Sequence, residues 1–143
     1  MKEIIPVIFA ILAGIFTTLE ASINAKLGRI VSPKIATLHS LITGVIIILI
    51  ANLLKGSLHQ YTKIIHVRPQ LLIGGIFGTF IIYFVTRTIP RLGVSNTLTI
   101  IVAAQIISGL FIDTFVTKQQ ELDWFKLIGI ILLLCGTYFI MKK

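Results

Sequence analysis

The sequence predicts an all-α polytopic membrane protein that crosses the bilayer five times. Two observations carry this reading. Of 143 residues, 56% are hydrophobic and 13% are charged, about half the roughly 25% charge of a soluble domain, and the mean hydropathy is +1.01. The apolar residues also fall in blocks of membrane-spanning length, since about 20 residues at a rise of ~1.5 Å cross the ~30 Å hydrocarbon layer. Disorder is excluded, because it needs low hydrophobicity. Each block reads as helix: unpaired backbone is too costly in lipid, and none shows the period-two alternation of a barrel strand.

The blocks cover about residues 4–25, 35–54, 71–86, 93–116 and 124–141, and together they read as one transmembrane domain, residues 1–143. The first has the outline of a signal peptide, with Lys2, an apolar run and Ala21-Ser22-Ile23 at its end. Glu3 interrupts the basic region, however, and four further spans follow, so it is read as a retained span. Ten strongly apolar residues at about −0.5 kcal/mol each outweigh one acidic residue at about +3 kcal/mol, so this block inserts with Glu20 inside it. Lys26, Gly28, Arg29 and Pro33 mark the break before the second block, and Lys55, Gly56 and Pro69 the break after it. Between Lys55 and Pro69, Leu58, Tyr61 and Ile65 at helical spacing predict a short amphipathic helix in the interface. The third block is short and spans only with little tilt or with local thinning. Pro90 and Gly93 end it. The fourth block is the most polar, and the fifth opens on Trp124, which suits the aromatic belt.

The net charge is +8. The basic residues sit between and just outside the apolar blocks, where they anchor the chain and attract anionic lipid. Nucleic-acid binding is not expected, because they have no folded soluble surface to occupy. The single cysteine, Cys135, lies in an apolar run, so no internal disulfide forms. No Cys/His cluster at ligand spacing is present, and no metal or other cofactor is expected.

Five spans place the termini on opposite sides. One side collects Lys2, Lys55, Lys63, Arg68, Lys118 and Lys126; the other collects Lys26, Arg29, Lys34, Arg87, Arg91, Lys142 and Lys143. Orientation follows the Lys/Arg bias, and here there is almost none. The expectation is dual topology, with copies inserted both ways and paired as an antiparallel homodimer. A single orientation with the second side cytoplasmic is the alternative.

Glu20 is the most informative residue, being the only acid well inside a span. A carboxylate in lipid is expensive and normally faces a cavity or a partner, where it suits reversible protonation. Ala13, Thr17, Glu20 and Asn24 repeat at steps of four, three and four and share one small, polar helix face, as a cavity lining would. The alternative is a carboxylate that reaches the interface or pairs with Lys26 or Arg29. In the fourth block Gln105 is near mid-span, and Ser108 and Gly109 lie on neighbouring turns of the same side. Such groups bind solute or hydrogen-bond another helix. Asp113 reads as an end-of-helix residue and His39 as an interfacial histidine. Tyr83 is either a cavity-lining residue or an interface anchor. Gly74 and Gly78 form a GxxxG face, and Gly129 and Gly136 share one face of a span that carries no charge beyond Lys126 near its start, so both pairs suit helix packing or dimer contact. There is no Ser/His/Asp or Cys/His set, no facing pair of carboxylates and no phosphate-binding glycine loop, so an enzyme is not expected.

The whole chain resembles the YdcZ-like family of the drug/metabolite transporter superfamily. The matching stretches are Ile23-Asn24-Ala25-Lys26-Leu27-Gly28, the Gly74-Gly75 to Gly78 run, Ile89-Pro90-Arg91-Leu92-Gly93, Gln105, Phe111-Ile112-Asp113 and the closing Gly129 to Gly136 helix. The resemblance implies a small bacterial inner-membrane transporter, an exporter, in a family of single-domain dimers and fused inverted repeats. It also implies kinship with small multidrug exporters that use a first-helix glutamate for proton exchange, and by that likeness Glu20 is the proton and substrate site. The expected activity is therefore secondary active transport, proton-coupled efflux of a small solute, with Thr17, Asn24, Gln105, Ser108 and Tyr83 around Glu20. A passive channel lined by Gln105 and the fourth-span hydroxyls, or a non-transporting subunit of a heteromeric complex, are the alternatives.

Overall fold

The structure is a computed structural model that describes residues 4–117 and 123–142. Lys2, Lys118 and Lys143 of the charge count, together with Glu3 and Glu121, lie outside the described residues. Five helices are long and apolar enough to cross a membrane, and no strand occurs among the described residues. They are α1 (Ile4–Ile30), α2 (Pro33–Leu54), α3 (Gly74–Leu92), α4 (Val94–Phe111) and α5 (Trp124–Met141). The chain divides into two compact units, one ending at Arg91 and one beginning at Leu92.

In the first unit α1 continues five residues past the predicted end at Ala25. Lys26 and Arg29 do not break it. Long basic side chains carry their charge to the interface while the backbone stays helical, and Arg29 in the last turn suits the negative end of the helix dipole. Only Val31 and Ser32 then separate α1 from α2. Ser32 is the N-cap, its Oγ accepting from the Ile35 N–H at 3.3 Å, and Pro33 occupies the first helical position, where its missing N–H costs nothing. This two-residue link folds α2 back along α1. Their packing rests on small residues, with Ala21, Ala25 and Gly28 of α1 and Ala36 of α2 buried, since small side chains let helix backbones approach closely.

The predicted interfacial helix is a 3-10 helix, Leu58–His66. At three residues per turn the shared face runs Leu58, Tyr61, Ile64, not Leu58, Tyr61, Ile65. With Val45, Ile48 and Leu49 of α2, that face lines a groove of about 630 Å³. A further 3-10 turn at Pro69–Leu71 leads into α3. The spanning stretch is Pro69–Leu92, 24 residues, so this crossing needs no local thinning. Pro90 lies inside α3 and does not end it. It costs the helix one N–H near its last turn, and the Arg29 Nη2 donates to the Pro90 carbonyl at 3.4 Å.

The second unit begins beside Gly93, whose φ of +83° lies in the left-handed region that favours glycine. The predicted fourth span is α4 followed by a π-helical turn, Ile112–Val116, which carries Asp113. The Asp123 carboxylate accepts from the Trp124 N–H at 2.7 Å and caps α5. α4 packs on α5, with Thr97 and Ala103 buried, and a groove of about 530 Å³ between them is lined by Gly109, Asp113, Lys126 and Gly129 among others.

Candidate functional site in the first unit

The chemistry gathers where α1, α2 and α3 meet. Glu20 and Asn24 stand one helical turn apart on α1, and the α1–α2 hairpin brings Ser40 to the same level. The Ser40 hydroxyl donates to Glu20 Oε1 at 3.1 Å. The Asn24 Nδ2 donates to that same oxygen at 3.4 Å and to Ser40 Oγ at 3.1 Å. One carboxylate oxygen is thus held by two neutral donors from two helices. Asn24 is buried, Ser40 half-buried, and Glu20 keeps an open side. Neither Lys26 nor Arg29 is ion-paired with Glu20 among the described residues; Arg29 is turned to the Pro90 carbonyl instead.

Thr17, Glu20 and Asn24 line one cavity of about 40 Å³ with Ala21 of α1 and Ile81, Ile82, Val85 and Thr86 of α3. It has room for water-sized occupants, far below the ~300 Å³ at which small-molecule sites begin. The Thr17 hydroxyl donates to its own helix at the Ala13 carbonyl, 2.8 Å away. Thr86 behaves differently. It is fully buried, and its Oγ1 has no hydrogen-bond partner, whereas Thr37, Thr79 and Thr97 each bond the carbonyl four residues back. An orphaned hydroxyl beside a carboxylate is an unusual expense for a helix interface.

Gly28 sets how closely α1 approaches α3. A Cβ placed there would come within 2.7 Å of Thr86 Cγ2. Glu20, Asn24 and Gly28 follow at steps of four, so the contact that fixes Thr86 lies on the face that carries the carboxylate.

Of the residues singled out from the sequence, Thr17, Glu20 and Asn24 come together. Tyr83 lines a separate groove with Lys34 and Leu38, and its hydroxyl accepts from Arg87 Nη1 at 3.1 Å. Gln105 and Ser108 are exposed residues of α4, in the second unit. Gly74, Gly78, Gly129 and Gly136 each have open space around a would-be Cβ. Ser40 and Thr86 join the site without being among the residues singled out from the sequence. Ser40 was reachable from the hairpin register once the turn at Val31-Ser32 is known; Thr86 carried no sequence signal.

Residues 5–139 match the family described as "Putative inner membrane exporter, YdcZ". The chain is also similar to the inner membrane protein YdcZ of Escherichia coli (strain K12), 24% identical over 147 residues that cover 100% of this chain and 99% of that protein. No solved structure matches it.

Proposed function

This chain belongs to the YdcZ family of inner-membrane exporters, and from that premise we propose that it is a proton-coupled secondary exporter of a small solute, one five-helix domain per protomer, working as an antiparallel homodimer. The observation that carries the reading is the Glu20 carboxylate, with Oε1 held by Ser40 and Asn24 and its other side open. Its hydrogen-bond partners are two neutral donors, and no cation is paired with it among the described residues. The group is therefore suited to alternate between a proton and a solute. An open carboxylate on a membrane helix normally faces a partner or a cavity, and a cavity of about 40 Å³ is too small for an organic solute. A second copy, bringing its own Glu20, completes the site in this reading, with the glycine faces of α3 and α5 as contact surfaces. Alternating access follows if two oppositely inserted protomers exchange their inequivalent conformations.

Proteoliposomes test the activity. A pH gradient drives saturable movement of a solute from a screened panel, with protons moving in the opposite direction. Ion conductance at high turnover with no dependence on the gradient identifies a channel instead. For the dimer, reporters fused to the C-terminus are active on both sides of the membrane; strong signal from one side alone defeats dual topology.

A further inference from the structure

At the end of the first unit where α1 and α3 finish and α2 begins, five basic residues collect: Lys26, Arg29, Lys34, Arg87 and Arg91. The three helix ends are joined there by the two-residue link, by the approach of Gly28 to Thr86, and by the bond from Arg29 to the Pro90 carbonyl. None of the five meets a carboxylate among the described residues: Arg29 and Arg87 donate to a carbonyl and a tyrosine hydroxyl, and the chain has no Asp or Glu between Glu20 and Asp113. Helix dipoles account for Arg29 and Arg91 in the last turns of α1 and α3, but not for Lys34. It stands in the first turn of α2, the positive end, with no acid in that turn.

A groove of about 310 Å³ opens at this same end, between α2 and α3. Lys34 lies at its mouth, and so does Tyr83, whose hydroxyl holds the Arg87 guanidinium. Its other walls are Leu38 and Leu41 of α2 and Phe80 of α3, with Thr37 and Thr79, whose hydroxyls are bonded to carbonyls of their own helices. The groove is cationic at the membrane face and apolar towards the bilayer centre. That is the polarity of an anionic phospholipid, phosphate outward and acyl chain inward, and basic pockets between transmembrane helices hold such headgroups.

We propose that the α2–α3 groove binds one anionic phospholipid, its phosphate between Lys34 and Arg87 and one acyl chain along Leu38, Leu41 and Phe80. This is independent of the transport reading, because neither Glu20 nor a solute is involved. The test uses the full-length protein in detergent micelles with Trp124→Phe and Leu41→Trp, which leaves one indole in the groove. Phosphatidylglycerol with brominated acyl chains quenches that indole at lower mole fraction than brominated phosphatidylcholine, with a preference on the order of tenfold for two cationic contacts. Adding Lys34→Gln and Arg87→Gln reduces phosphatidylglycerol to the level of phosphatidylcholine. The charge-keeping pair Lys34→Arg and Arg87→Lys retains the preference, which separates lost charge from lost folding. Equal quenching by both lipids overturns the proposal. So does displacement of phosphatidylglycerol by millimolar inorganic phosphate, which indicates a free-anion site, or quenching by neither lipid, which indicates a groove closed by a second copy.

Discussion

Glu20→Gln is expected to reduce pH-gradient-driven solute flux to that of protein-free liposomes while solute still binds. Glutamine keeps the shape of the side chain and an oxygen that accepts from Ser40 and Asn24, the two donors to Glu20 Oε1. What it loses is the ability to take up and release a proton. The substitution therefore separates coupling from folding, because the hydrogen bonds that join α1 to α2 at this level survive it. Solute binding read by thermal stabilisation and flux read in proteoliposomes give the two arms. Unchanged gradient-driven flux in the variant removes Glu20 from the mechanism.

Gly28→Ala is expected to destabilise the protein by about 1–3 kcal/mol, the usual cost of an overpacked contact. The added methyl falls 2.7 Å from Thr86 Cγ2, and Thr86 is fully buried with a short branched side chain that has nowhere to swing. The damage is specific. Thr86→Ser removes the obstructing methyl and keeps the hydroxyl, so the double variant Gly28→Ala/Thr86→Ser recovers most of the loss, a coupling that contact between the two residues requires. Gly14→Ala, at a helical position with open space around the new methyl, is the neutral control. Unfolding curves in a detergent–denaturant titration measure all four. Because Thr86 lines the Glu20 cavity, Gly28→Ala also changes the volume beside the carboxylate.

The crossings were legible where apolar blocks are long and cleanly bounded. α5 runs over Trp124–Met141, uncharged but for Lys126 near its start, with Asp123 before it and Lys142 after it, and its bounds follow from hydropathy alone. Bounds were missed where punctuation and helix coincide. Lys26, Gly28 and Arg29 look like a break yet belong to the last turns of α1, because charge at a membrane face is compatible with helix. Pro90 looks like a stop, but close to the end of α3 it removes only one backbone bond.

The site was legible along one helix and not between helices. The steps of four and three place Thr17, Glu20 and Asn24 on one face without tertiary information. Ser40 enters through the hairpin register, which depends on a link of only two residues between α1 and α2. Thr86 is indistinguishable in sequence from Thr37 or Thr79, which satisfy themselves on their own helices; only its burial without a partner sets it apart. Gly28 stood in the sequence as a helix breaker and is a contact residue in the fold.

The central claim is that Glu20 is a carboxyl group sheltered within the membrane that takes up protons reversibly. A hydrophobic carbodiimide reports this without knowledge of the solute, since it modifies protonated carboxyl groups reached from the apolar phase. Peptide mass mapping of the protein labelled in membranes is expected to find the adduct on Glu20, decreasing as pH rises, with Asp123 at the start of α5 unmodified. Labelling of Glu20 no greater than that of Asp123 at every pH would contradict the account.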